Sequence, residues 1–223
     1  MTRRRVGALV AALALVLLLV WLLAFSPVLG ARTFQVRGAT TVTAAAVTAA
    51  AGVGNGTPLL RLDTDAVADR IATALPELAT VTVSTRFPAT VRITVVERVA
   101  VGYVAAGSGF VLVDKTGRQF RSVPAAPSGL PKFDIPANSS DSDGVGRAVA
   151  AVAGSLPGAV LTKLASIQAT SGDAITLQLT DGRAVRWGAA TENTEKARVL
   201  PTLLAQPGKV FDVSDPDRVF SHN

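Results

Sequence analysis

The 223-residue chain has no cysteine and one histidine, His222, which stands one residue from the C-terminus. The missing cysteine excludes a disulfide framework, a thiol nucleophile and a thiolate metal site together. One histidine at an end that ordinarily frays leaves nothing for a catalytic triad or a histidine-based metal centre. No serine lies in a G-x-S-x-G setting. The stretch GVGNGTP, residues 52–58, lacks the Gly-Lys-Ser/Thr ending of a phosphate loop. It reads as a sharp connection between two helices, where Gly and Pro are the usual turn residues. Asp215 and Asp217 around Pro216 could in principle act as a glycosidase pair, but they fall between expected strands and read as turn formers. Acidic residues are absent before Asp63. Of 22 basic residues three are Arg3–Arg5, leaving 19 against 16 acids, a net of +3 for the rest of the chain. No basic cluster is interleaved with aromatics, which argues against nucleic-acid binding. These absences imply no enzyme activity, no cofactor, no metal and no small-molecule substrate.

Long apolar runs are what the chain does have. Residues 6–25, VGALVAALALVLLLVWLLAF, carry no charge over 20 positions. A helix of that length, at about 1.5 Å per residue, crosses a hydrocarbon core of roughly 30 Å. A cleaved signal peptide is the alternative. Against it, the run is longer than a usual signal core, and SPVLGART after it offers no small-x-small cleavage site. Arg3–Arg5 hold the N-terminus in the cytoplasm and send the rest outward, with Trp21 and Phe25 near the outer interface.

Beyond the anchor, TFQVR reads as a strand ended by Gly38. A short helix follows, with Thr41 or Thr43 as its N-cap and Gly52 at its C-cap. Asp63 or Thr64 caps a second helix, whose Val67, Ile71 and Leu75 share one face. Two strands, LATVTVSTRF and VRITVVER, then pair across FPAT. The order strand-helix-helix-strand-strand is a small module in which two amphipathic helices cover a three-stranded sheet. Alternation in VRITVVER stops at Glu97 and Arg98, which read as a charged hinge at a domain boundary.

Past that point come many short strands. VAVGYVAAG and GFVLVDKTGRQFRSV turn at Asp114–Gly117. Residues 124–143, rich in Pro, Ser and Asp, are expected to be a surface loop. GRAVAAVAGSL is a helix. Ile175, Leu177 and Leu179 alternate before a turn at Asp181 and Gly182, and Val185 and Trp187 continue on the next strand. ENTEKARVLPTLLAQ is the last helix, and KVFDVSDPDRVF supplies one or two closing strands. The fold class is α+β, an antiparallel β domain with flanking helices after the small module.

The anchor, FQVRGATTV, the helix pair, GTPLLRLD, RFPATVRITVVERVAVGYV and LVDKTGRQF together resemble the FtsQ/DivIB family of bacterial division proteins. LQLTDGRAVRWG, EKARVLPTLL and KVFDVSDP resemble its β domain. The resemblance implies a cytoplasmic tail at 1–5, a transmembrane helix at 6–25, a POTRA module at 33–101 and an FtsQ-type β domain at 102–223. It also implies a non-catalytic scaffold in the cytoplasmic membrane at the septum, linking early and late division proteins. Its partners would be of the FtsB and FtsL type and, through them, the septal FtsW/FtsI-type synthase. Family members often carry a longer tail than Met1–Arg5, so none of the function is assigned to that segment.

Free strand edges accept a partner's strand, and the resemblance places partner binding at the C-terminal segment. The candidates are Val210, Phe211 and Val213 before DPD, and Arg218, Val219 and Phe220 after it. Alternation makes core positions of Phe211 and Val213 at least as well supported, and backbone pairing survives that reading. Lys196 resembles a basic residue on the helix beside the edge, although an exposed pair with Glu192 is the plainer expectation. Leu59, Leu60 and Arg86 are weaker candidates on the POTRA module. Two rivals remain: a POTRA-type chaperone of export or outer-membrane assembly, and a cell-wall hydrolase or transferase.

Overall fold

A computed structural model describes residues 30–135, 142–215 and 220–222, together with helical positions 7, 11–18 and 21. The expected tail at 1–5 and much of the expected span at 6–25 lie outside those residues. Among the described residues no helix is long and apolar enough to cross a membrane. The chain divides into two units, 1–97 and 98–223, each with its own hydrophobic core.

The first unit runs β1 (Thr33–Arg37), α1 (Ala44–Ala51), a 3-10 turn (Leu59–Arg61), α2 (Thr64–Ala74), β2 (Leu78–Arg86) and β3 (Thr90–Glu97). Thr43 starts α1 by accepting the Ala46 N–H on its hydroxyl at 3.2 Å. Gly52 ends it in the left-handed region, φ 60°, donating its own N–H to the Ala49 carbonyl. That conformation costs little only without a Cβ. Asp63 starts α2 through its carboxylate, which accepts from Ala66 N at 3.0 Å. β3 is central, parallel to β1 and antiparallel to β2. Parallel neighbours need a long crossover, and the two helices supply it. Val91, Ile93 and Val95 of β3 are buried with Val47 of α1 and Val67 and Ile71 of α2. Each such side chain contributes about 1.5–3 kcal/mol by leaving water. The alternate positions, Thr82, Ser84 and Arg86 on β2 and Arg92 and Thr94 on β3, form a polar outer face.

The second unit is built on one nine-stranded sheet in the order β12-β11-β10-β9-β8-β7-β4-β5-β6. Its strands are β4 (Ala100–Ala106), β5 (Gly109–Asp114), β6 (Gln119–Val123), β7 (Lys132–Asp134), β8 (Leu164–Ser171), β9 (Ala174–Leu179), β10 (Ala184–Gly188), β11 (Val210–Asp212) and β12 (Phe220–His222). The helices are α3 (Ser142–Ser155), α4 (Gly158–Leu161) and α5 (Asn193–Leu204). Ile167, Ile175, Leu177, Val185, Trp187 and Phe211 share a core with Val149 and Val152 of α3 and Leu200 of α5. Because β4 opens at Ala100 and belongs to this sheet, the second unit starts at Arg98, ahead of the expected boundary at 101/102.

Two expectations need correction. The sheet is mixed rather than antiparallel, since β4–β7, β7–β8 and β10–β11 are parallel pairs. The helices between β7 and β8 and between β10 and β11 are the crossovers that parallel pairing requires. The expected surface loop at 124–143 also contains β7, a strand in the interior of the sheet. Its one apolar residue, Phe133, is buried, and a Cβ on Gly102 of β4 would lie 2.2 Å from the Phe133 ring. A three-residue strand bearing one aromatic leaves too little periodicity to be recognised in a polar stretch.

Candidate functional site

The edge region of the large sheet begins with β10 and the loop into α5. Trp187 is fully buried, and its Nε1–H donates to Asn193 Oδ1 at 2.9 Å. Asn193 Nδ2 in turn donates to the Ala190 carbonyl at 3.2 Å. Glu192 takes a left-handed conformation, φ 53°, at the start of α5, an unusual setting for a residue with a Cβ. This fold of the chain is held from within by Lys196. Its Nζ donates to the Trp187 and Ala189 carbonyls at 3.2 and 3.0 Å and lies 6.0 Å from the centre of the Trp187 ring.

Lys196 is therefore only 1% exposed, and the expectation of an exposed pair with Glu192 is corrected. Its ammonium closes the β10–α5 loop. Burial lowers its pKa, against the raising influence of Glu192, Asp212 and Asp215. The signal was present in the sequence. Lys196 precedes Leu200 by four residues and Leu203 by seven, which puts it on the apolar stripe of α5.

β11 pairs with β10 on one side and with β12 on the other. Phe211 and Val213 are fully buried, so their side chains belong to the core, as alternation allowed. Val210 remains 38% exposed. The Phe211 ring has the Arg183 guanidinium 5.6 Å from its centre, and Arg183 Nη1 donates to the Leu204 carbonyl at the end of α5 at 2.8 Å. Asp212 accepts from Ser214 N and Oγ at 2.9 and 2.6 Å, and Arg186 Nη1 approaches at 3.5 Å. Burial pushes the Asp212 carboxyl up, but these hydrogen bonds and the Arg186 charge outweigh it, and the net direction is down. β12 registers Phe220 against Asp212, Ser221 against Phe211 and His222 against Val210. It is the last strand of the sheet, so its outer backbone groups have no neighbouring strand among the described residues. Arg218 and Val219 lie outside the described residues.

On the first unit, Leu59 is buried in the core, whereas Leu60 is 57% exposed in the 3-10 turn. Arg86 is exposed at the end of β2. Leu59, Leu60 and Arg86 belong to the first unit, and β11 and β12 to the second.

Glu97 and Arg98 do different work from one another. The Glu97 carboxylate accepts the backbone N–H groups of Thr40, Thr41 and Val42 at 2.7, 2.8 and 2.9 Å, and the Thr40 hydroxyl at 2.8 Å. The Val42 N–H is the largest influence that holds its pKa down, at about 2, with Thr40 and Thr41 adding to it against burial. Arg98 pairs with Asp114, whose other oxygen accepts from Thr116 N, Thr116 Oγ1 and Arg118 N at 2.8, 2.6 and 3.0 Å. Burial raises the Asp114 pKa, but the Thr116 hydroxyl, Arg98 and the turn amides more than reverse it. Two consecutive residues thus tie the last POTRA-like strand and the first strand of the next unit each into its own fold. Sequence reasoning missed both sets of partners, which lie 55–57 residues upstream of Glu97 and 16 residues downstream of Arg98.

A strand-helix-helix-strand-strand module followed by a mixed sheet with a free C-terminal edge, and no constellation of catalytic side chains among the described residues, defines a two-module protein of the POTRA class. Residues 29–98 match the model of the FtsQ-type POTRA domain, and residues 102–217 match that of the cell division protein FtsQ/DivIB C-terminal domain. The chain belongs to the FtsQ/DivIB family of cell division proteins. It is 43% identical to the cell division protein FtsQ of Mycolicibacterium smegmatis over 95% of this chain and 62% of that protein. It is 38% identical to the FtsQ of Streptomyces collinus over 96% of this chain and 87% of that one. The chain therefore spans less than two thirds of the mycobacterial relative and most of the streptomycete one. The major extracytoplasmic domain of DivIB from Geobacillus stearothermophilus aligns at 22% identity over 49% of this chain and 92% of that chain, with a TM-score of 0.39.

Proposed function

We propose that the chain is a non-catalytic scaffold of the bacterial division machinery. It is anchored by one helix at 6–25 in the cytoplasmic membrane, with its N-terminus inside and the POTRA and β units outside, at the septum. It binds partners of the FtsB and FtsL type and reaches the FtsW/FtsI-type synthase through them. The observation that carries this reading is β12, the terminal strand of the large sheet, with β11 as its one neighbour among the described residues. A partner strand laid along it would gain main-chain hydrogen bonds without a pocket, the mode that suits a scaffold. Nothing in the structure favours the export chaperone, and the FtsQ-type match over 102–217 points to division instead.

A photo-crosslinking residue at Phe220 in living cells should capture an FtsB- or FtsL-type protein. The same residue at buried Lys196 should capture none. Capture at Lys196 but not at Phe220 would place the interface elsewhere. Depletion should give filaments with undivided cytoplasm, and normal septation after depletion would reject the scaffold reading.

A further inference from the structure

The end of the first unit at which the chain enters it carries two exposed apolar side chains. The turn between β2 and β3, Phe87–Ala89, is tied to the place where the chain enters the module. The Ala89 carbonyl accepts the N–H groups of Arg32 and Thr33 at 2.9 and 3.1 Å. Ala31 exchanges hydrogen bonds with Thr57 and Gly56 at 2.8 Å, and Gly30 bridges Pro58, two residues before Leu60. Two exposed large apolar side chains, Phe87 at 56% and Leu60 at 57%, therefore stand on segments pinned to the same entry point. Beside them in sequence are Arg86 and Arg61, and Arg32 is at the entry itself; all three are exposed.

Farther along the outer face of the sheet, burial and then the charges of Arg86 and Arg37 lower the pKa of Arg92. Its Nε has no partner. Like charges gathered on a surface call for an anion. No acid occurs among the outward residues of β2 and β3.

Five residues, 26–30, separate the apolar run ending at Phe25 from Ala31. Fully extended they reach about 17 Å. One exposed ring and one exposed leucine, each next to an arginine in sequence and held that close to a bilayer, have the composition of a membrane-interface contact. We propose that the Arg86–Phe87 turn and the Leu60–Arg61 turn dock on the outer leaflet, with Phe87 and Leu60 among the headgroups and the arginines on lipid phosphates. This rests on the anchor assigned under Proposed function. Docking would restrict how the POTRA module can tilt above the membrane.

The absence of cysteine makes the test direct. The full chain is placed in nanodiscs of phosphatidylcholine with or without phosphatidylglycerol, carrying a nitroxide on Phe87→Cys, Leu60→Cys or, as a control, Thr80→Cys. Thr80 is exposed and registers with Val96, at the other end of β2 from the turn. In the anionic discs, labels at 87 and 60 should become more accessible to oxygen than to a nickel chelate, while the label at 80 stays aqueous. Arg86→Glu should lower the docked population at least about five-fold, the effect of one arginine near an anionic surface. A label at 87 as aqueous as that at 80, in chains that remain in the discs, overturns docking alone. Chains that leave the discs once detergent is removed overturn the anchor and docking together. A label at 87 that is shielded only after a division protein is added also overturns the proposal, in favour of a protein contact.

Discussion

At the scale of single residues, two charged side chains carry more structure than surface. Glu97 gathers three backbone N–H groups ahead of α1, groups that would otherwise lack an intrahelical partner or be left to water. Glu97→Ala should cost about 1–2 kcal/mol, the usual range for loss of a capping group, read as a lower denaturation midpoint. Its pKa falls from an ordinary 4.5 to about 2 on folding. The folded state thus binds this proton less tightly than the unfolded state does. The resulting stability is complete above about pH 4.5 and is lost as pH falls towards 2. Melting curves of the protein and of Glu97→Gln should accordingly converge over that interval, and a gap that stays constant to pH 2 would remove the assignment. Lys196 offers the opposite case of a cation held by two carbonyls. Lys196→Ala leaves a cavity and two unpaired acceptors, and should destabilise by about 2–4 kcal/mol. Lys196→Met keeps the volume and relieves the buried charge, so thermal denaturation should show a smaller loss.

Among elements, β7 decides the architecture of the large sheet because it joins β8 to β4. Its position depends on Phe133 lying against the backbone of Gly102. Gly102→Ala would force the ring or the strand to move, and overpacking of this kind costs about 1–3 kcal/mol. A guanidinium titration should show the loss as a lower midpoint with the slope unchanged. At β11 the two faces differ in the same way. Phe211→Ala should cost about 3–5 kcal/mol as a core truncation, whereas Val210→Ala should stay within about 1 kcal/mol, and circular dichroism melts separate them. If partner binding is through the backbone of β12, Val210→Ala should bind almost as well as the parent chain.

For the whole molecule, the division into units falls between Glu97 and Arg98, and each residue is tied into its own side of that division. The proposed scaffold role predicts no catalytic turnover. Purified protein should release no fragments from peptidoglycan, and measurable turnover would reinstate the hydrolase or transferase reading. The β12 edge and the Phe87 end belong to different units, so a defect in one should leave the readout of the other unchanged. Double substitutions at Phe220 and Phe87 should therefore be additive in crosslinking and nanodisc assays.

Local patterns in the chain already determined most of the elements. Period two marked β2, β3 and β9, and Thr43, Gly52 and Asp63 marked where helices begin or end. The absence of cysteine and of all but one histidine bounded the chemistry before any fold was known. These features are legible because they act between residues close in sequence. Three results depended on the tertiary structure: the place of β7, the carbonyls that hold Lys196 and the partners of Glu97 and Arg98. Each rests on groups brought together from distant segments, or on burial that outweighs a side chain's usual preference for water. Local periodicity puts Lys196 on the apolar stripe of its helix, but it does not name the groups that a charged side chain meets once the chain is packed.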